Sequence, residues 1–447
     1  MAEIRLHDSR SGGLVELRPR DGRRVGIYAC GPTVYNRIHV GNARPFVVFA
    51  LLARFLAHEG LEPVLVANIT DINDKIYDAA RAAGRPSSEL AAEMARAYVE
   101  DTDGLGLGRP DHEPLATAYV PQIVALIERL VAAGHAYEAG GDVYFRVRSD
   151  AAYGSLSHRQ VDDMDQGEGI EGASLKEDPL DFALWKARKA HEDAWWPSPW
   201  GEGRPGWHIE CSAMAEALLG VGFEVHGGGN DLMFPHHENE AAQTRCAHGA
   251  ELASIWMHNG MLTLGGKMSK SVGNIVPLHE ALAEHGRDLL VMLFVSTHYR
   301  GPLAYGPEAL EEAAARVRRV REAGRRLVAG PSPEDMRAHV EAFFAALRDD
   351  FGTPGALGHL FEWVREANRR DGVGDADLRE MLGVLGLETL LAAADGPPPE
   401  ALRLLAARQD ARAARDFARA DALRDELRAL GWEVRDGAAG AELVPAA

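Results

Sequence analysis

The stretch from Arg24 to Thr70 constrains the fold of this chain more than any other. "RVGIYAC" (24–30) is a short apolar run that ends in a Gly-Pro turn, the pattern of a buried strand. In "ARPFVVFALLARFLAHEG" (43–60) apolar residues recur at three- and four-residue spacing up to a closing glycine, as in a helix. "EPVLVANIT" (62–70) is a second apolar run. Strand, helix and strand in about fifty residues make a βαβ unit, and such units build parallel sheets with right-handed crossovers. The expected class is therefore α/β with a Rossmann-like parallel sheet. Ligands of such sheets bind beyond the carboxyl ends of the strands, where Cys30 and Thr70 both fall.

The rest of the chain divides by texture. At 447 residues it exceeds one ordinary core and calls for two to four domains. "SSELAAEMARAYVEDT" and "YVPQIVALIERLVAAG" have helical periodicity, and "HAYEAGGDVYFRV" reads as a hairpin. Residues 151 to 205 turn polar and rich in Gly, Asp, Pro and Trp, as an insertion would be, and sheet-like pattern resumes with "FEVHGGGNDL". From about residue 307 to 393 the chain is Ala-, Arg- and Leu-rich with helical period, and "DGPPPE" reads as a linker. The tail "DFARADALRDELRALGWEVRDG" reads as one amphipathic helix plus a strand. The expected units are 1–125 and 206–306 as two halves of the sheet domain, 126–205 as the insertion, 307–395 as a helical domain and 400–447 as a small C-terminal module.

Composition excludes some classes. With 46% apolar and 26% charged residues the chain is globular, and no apolar run is read as reaching the ~20 residues that cross a bilayer. "MAEIRLHDSRSGG" lacks a secretion signal, and three cysteines make no disulfide framework, so the cytoplasm is the expected compartment. A formal charge of −19 argues against a uniformly basic nucleic-acid surface, but binding uses a patch. "ARVRRVREAGRRL" places Arg318, Arg321 and Arg325 on one helix face, either solvated or set against a polyanion.

Two groups of residues carry chemistry. "WHIECSAM" presents Cys211, and "DLMFPHHENEAAQ" presents His236 and Glu240 one helical turn apart. Ligands of N, O and S type suit zinc, and Cys30 at a strand end supplies a fourth. Buried thiols beside a solvated helix face are the alternative. Cys246 reads as a core thiol. The second group handles phosphate. His39, Gly41 and Asn42 open a helix whose N-terminus favours an anion. Far downstream, "GGKMSKSVGN" offers Lys267 and Lys270 between glycines, two cations able to neutralise charge on a reacting triphosphate.

In this order, these segments resemble the HIGH and KMSKS motifs of class I aminoacyl-tRNA synthetases. "CGPTVYNRIHVGNARP", "NITDINDK", "PGWHIECSAM", "GGGNDLMFPHHENE", "MHNG", "HYRGPLAYG" and "DFARADALRDEL" extend the resemblance, from Cys30 to Leu427, to the cysteinyl-tRNA synthetase family. The resemblance implies one zinc per chain on Cys30, Cys211, His236 and Glu240. It also implies ATP, as its magnesium complex, at Pro32, Thr33, His39, Gly41, Asn42 and Lys270, with His39, Asn42, Lys267 and Lys270 as catalytic donors. The helical domain and C-terminal module would then meet tRNA(Cys).

Such an enzyme joins L-cysteine to ATP as an adenylate and then transfers it to the terminal adenosine of the tRNA, with no membrane involved. Serine differs from cysteine only by oxygen for sulfur, and shape separates such near-isosteres poorly. Zinc prefers the soft thiolate, so direct binding of the substrate sulfur is expected, without an editing domain. Thr70 and Trp207 are expected to wall the amino-acid pocket or else to pack in the core. Asp231 and Glu210 are nearby carboxylates, but no general base for the transfer is assigned.

Two departures stand out: Asn42 replaces the second His of HIGH, and "GAAGAELVPAA" lacks the Trp and Arg of the family's end. The competing readings are a cysteine ligase of mycothiol biosynthesis, which needs no tail module, and a non-catalytic zinc-containing RNA-binding paralogue, which needs no lysine pair.

Overall fold

A computed structural model describes residues 2–164, 173–263, 276–392, 399–437 and 440–445. A hairpin of β1 (Arg5–Asp8) and β2 (Gly13–Glu16) leads into β3 (Arg24–Ala29), α1 (Val40–His58) and β4 (Glu62–Ala67). β3 and β4 pair in parallel with α1 as their crossover. Two helices follow, α2 (Asp74–Ala83) and α3 (Ser87–Asp103). By length and apolarity α1 would suffice to cross a bilayer, contrary to the reading from the sequence. Its apolar residues are instead core: twelve of its nineteen residues are buried. Each fully buried Phe or Leu there contributes ~1.5–3 kcal/mol.

α4 (Val120–Ala132) runs through the boundary expected at 125/126. Ile123, Leu126, Ile127 and Leu130 form one buried stripe in a single core cluster, so no domain edge can cut the helix there. Beyond it, β5 (Ala136–Ala139), β6 (Asp142–Phe145), β7 (Phe182–Ala187) and β8 (Gly203–Pro205) form an antiparallel sheet in that order. The chain returns through α5 (Trp207–Leu219), β9 (Phe223–Gly229), α6 (Glu238–His248) and β10 (Ala253–Asn259). β9 and β10 complete the parallel sheet, whose order is β10-β9-β3-β4. The strand order reverses direction at β3, so the crevice between the ends of β3 and β9 is its natural ligand site.

β11 (Leu262–Thr263) pairs in parallel with β12 (Leu303–Ala304), and between them lie α7 (Leu278–His285) and α8 (Arg287–Val295). α9 (Pro307–Gly324), α10 (Arg337–Arg348), α11 (Thr353–Ala367) and α12 (Ala376–Val384) form the helical region. The tail segment from residue 416 to 437 folds as read, into one helix, α14 (Phe417–Ala429), and one strand, β13 (Trp432–Gly437); α13 (Pro399–Ala413) packs on α14, and β13 pairs with β14 (Gly440–Pro445) in a hairpin.

Candidate active site

Cys30 follows β3 directly, and its N–H donates to the Gly227 carbonyl of β9 at 2.9 Å. The two strand ends are thereby held side by side. A Cβ on Gly31 would lie 1.7 Å from the Asn68 carbonyl oxygen, so only glycine lets the chain pass there. Cys211 sits in the second turn of α5, buried. A wide turn over Met233–His237, with Phe234 in an extended conformation, feeds α6. His236 and Glu240 thus stand one turn apart, Nε2 to Oε1 3.1 Å. Ligand atoms of Cys30, Cys211, His236 and Glu240 all lie within 4.8 Å of one another. A tetrahedral zinc spaces its ligand atoms by about 3.3–3.8 Å, so a small closure suffices.

The electrostatics suit a cation. Burial, then Cys211, pushes the Cys30 thiol well up, and burial raises Glu240 to about 7 against the pull of His236. Burial also holds His236 below its usual value. Desolvation therefore disfavours the charged forms of Cys30, His236 and Glu240, and a dication would reverse the balance for the anionic ligands. The donor set fits zinc.

Behind these four stand histidines that spacing alone did not single out. His236 Nδ1 lies 3.0 Å from His208 Nδ1. His237 Nδ1 lies 2.7 Å from His258 Nε2, whose own Nδ1 lies 2.7 Å from Ser9 Oγ. His226 stacks on Tyr28, ring centroids 5.2 Å apart, and its Nε2 is 3.7 Å from Cys30 Sγ. The signal in the sequence was a histidine inside the apolar strand run "FEVHGGG"; a buried polar group calls for a partner.

Next to the cluster opens a cavity of about 390 Å³. It brings together Cys30, Pro32, Thr33, His39, Gly41, Asn42 and Trp207. Gly41 and Asn42 at the α1 N-terminus form part of that lining. Asn42 Oδ1 accepts the His39 N–H at 3.2 Å, which caps the helix and leaves the amide nitrogen as the residue's donor. Pro45 lies inside α1, so the Gly41 carbonyl lacks its intrahelical donor. Trp207 stands between the two parts of the site, stacked on His236 with centroids 4.3 Å apart.

Lys267 and Lys270 lie outside the described residues, but both flanks of their segment are anchored at this cavity. Val40 N–H donates to Val276 O and Leu278 N–H to Ile38 O, each at 3.0 Å. On the other flank the buried Arg44 guanidinium donates to Gly260 O at 2.5 Å and His298 O at 3.1 Å. Burial lowers Arg44 to about 10.

Other expected residues lie elsewhere. Thr70 does not line the cavity: it is buried, exchanges backbone hydrogen bonds with Pro32 and Val34, and accepts from Asn68 Nδ2 at 3.2 Å. Asp231 does line it. Glu210 is buried away from it, and burial pushes its carboxyl well up. Cys246 is half-buried against a core cluster, and burial raises its thiol to about 12. The basic face of α9 is smaller than expected. Arg321 pairs with Asp288 at 3.0 Å, whereas Arg318 and Arg325 are exposed.

Comparison with known proteins agrees along the whole chain. Residues 16–315 match the family described as tRNA synthetases class I (C) catalytic domain. Residues 342–389 match the DALR domain, and 394–442 the cysteinyl-tRNA ligase anticodon binding domain. The chain is 46% identical to the cysteine–tRNA ligase of Halorhodospira halophila over 97% of both chains. It is 47% identical to that of Paracoccus denitrificans over 100% of this chain and 98% of the relative. Among solved structures, methionyl-tRNA synthetase of Mycobacterium tuberculosis in complex with methionyl-adenylate shares the fold at a TM-score of 0.60. The identity is 18%, over 83% of this chain and 89% of the other.

Proposed function

The chain belongs to the cysteine–tRNA ligase family of class I aminoacyl-tRNA synthetases, and from that premise we propose a zinc-dependent discrimination of cysteine from serine at its active site. The enzyme is a cysteine–tRNA ligase: it consumes L-cysteine and ATP and charges tRNA(Cys). The observation that carries the finer reading is the convergence of Cys30, Cys211, His236 and Glu240 within 4.8 Å beside the cavity that Trp207 shares. Zinc on these four residues supplies a soft Lewis acid that takes a thiolate in preference to a hydroxyl.

The protein's own groups do the rest. Trp207 excludes water between the sulfur end and the nucleotide end. The substrate carboxylate attacks the α-phosphorus of ATP and pyrophosphate leaves. His39, the Asn42 amide and the α1 N-terminus donate to the phosphates, and Lys267 and Lys270 neutralise the charge that develops on them. A hydroxyl of the terminal adenosine then attacks the adenylate carbonyl, and AMP leaves. The helical domain and C-terminal module hold the distant anticodon end, which is what distinguishes this reading from a cysteine ligase acting on an amino sugar. Three cysteines without a disulfide among them and the synthetase family support a cytoplasmic enzyme.

The test is cysteine-dependent ATP–pyrophosphate exchange with serine as control, on protein assayed for zinc, followed by charging of tRNA(Cys). One zinc per chain, exchange with cysteine and none with serine are expected. Comparable exchange with serine, or full activity of zinc-free enzyme, overturns the zinc reading. Exchange without charging would move the assignment to the amino-sugar ligase.

A further inference from the structure

We propose that the metal centre has a second seat, formed by Cys30, His226, His237 and Glu240, which adjoins the first and shares Cys30 and Glu240 with it. The inference rests on the zinc reading above. Ligand atoms of these four residues also lie within 4.8 Å of one another, and all four residues are buried. Glu240 faces both seats, one carboxylate oxygen to each: Oε1 is 3.1 Å from His236 Nε2, and Oε2 is 3.2 Å from His226 Nε2.

One of the atoms that would bind there, His237 Nε2, is buried without a hydrogen-bond partner among the described residues. Nδ1 of His237 is engaged by His258, which Ser9 orients in turn, so Nε2 is the ring nitrogen left for a ligand. A ligating imidazole braced through its other nitrogen is the common arrangement at metal sites.

Charge decides how the seats are used. The first seat offers two thiolates and a carboxylate, the second one thiolate and a carboxylate. Two dications at once would rest on three anions and leave a net positive charge in a buried site. The seats are therefore filled one at a time. The thiolate-rich first seat is preferred by a borderline-soft ion such as zinc. The second retains the ion when Cys211 is not available to bind it.

Metal content and cobalt(II) spectra of full-length variants test this, the sulfur-to-cobalt absorption reporting how many thiolates bind. Wild type should carry one metal with a two-thiolate signature; its absence overturns the first-seat reading itself. Cys211→Ser should keep close to one metal per chain, with the sulfur band reduced to about half. Cys211→Ser/His226→Ala should lose it, weakening affinity by at least about 10–100-fold. His226→Ala alone should keep the two-thiolate signature, which shows that the fold tolerates the change. The second seat is overturned if Cys211→Ser, or Cys211→Ala in its place, is as metal-free as the double variant. It is equally overturned if the double variant retains metal as well as the single one, or if His226→Ala alone empties the site.

Discussion

The Cys/His/Glu cluster and the neighbouring cavity share the end of β3, yet one is closed to water and the other open. Cys211, His236 and Glu240 are at most 2% exposed, while Asn42 and Asp231 of the cavity are exposed and His39 is half-exposed. The cluster is built from side chains, which makes it sensitive to the protonation and loss of each one. The cavity is lined by the loop and helix start between residues 29 and 46 and by the flank at residues 259–262, and it opens to solvent, which lets a large substrate enter and leave. A permanent ion benefits from low dielectric around its ligands. A nucleotide needs fixed donors that pay no reorganisation when it arrives.

The sharpest way to break this comparison is Cys30→Ser, which removes the ligand common to both seats and leaves the cavity lining otherwise intact. Metal should be lost and cysteine-dependent exchange should fall by about 10³-fold or more; exchange within tenfold of wild type would mean that the cluster is only structural. Next in size is Asn42→Ala. Losing a phosphate donor should lower exchange by about 10²-fold with metal content unchanged, and losing the cap should cost about 1 kcal/mol of stability in denaturant unfolding. Loss of stability with normal exchange would confine Asn42 to capping.

A smaller effect is expected at the far end of α1. There Arg348 holds Glu59 through two hydrogen bonds of 2.8 and 2.9 Å, His58 stacks on Phe344, and Arg54 reaches the Gly383 carbonyl at 3.0 Å. The helix whose start lines the cavity is thus bolted to the helical region. Arg348→Ala should leave exchange unchanged and lower kcat/KM for tRNA charging by about 5-fold, roughly 1 kcal/mol of coupling. An equal fall in both assays would show loss of the catalytic domain instead.

The smallest effect concerns pH. Despite opposing burial, Arg337 and His58 hold Glu380 below its ordinary value near 4.5. A carboxylate whose folded value is depressed adds stability above its unfolded value, and that stability is lost as pH falls through the folded one. Glu380→Gln should therefore flatten the decline of stability below about pH 4.5, by less than about 1 kcal/mol because the pair is partly solvated. An unchanged acid limb would remove Glu380 from the account.

What the sequence determined by itself was whatever depends on short spacing. The βαβ unit follows from apolar runs of Arg24 to Thr70 and the turns between them. His236 and Glu240 share a helix face because they are four residues apart, and the helix start at His39 to Asn42 was legible from residue type. The tertiary structure decided what depends on partners distant in the chain. α4 crosses an expected domain boundary because its stripe packs into a neighbouring core. Arg321 leaves the basic face because Asp288 meets it. Thr70 braces the Pro32 to Val34 loop instead of lining the cavity. His226, His237 and Arg44 acquire roles only when strands and loops hundreds of residues apart converge, since a buried imidazole or guanidinium is defined by the atoms that solvate it in place of water. Local periodicity records the hydrogen bonds of the backbone, and it carries no record of which side chains will share a dry interior.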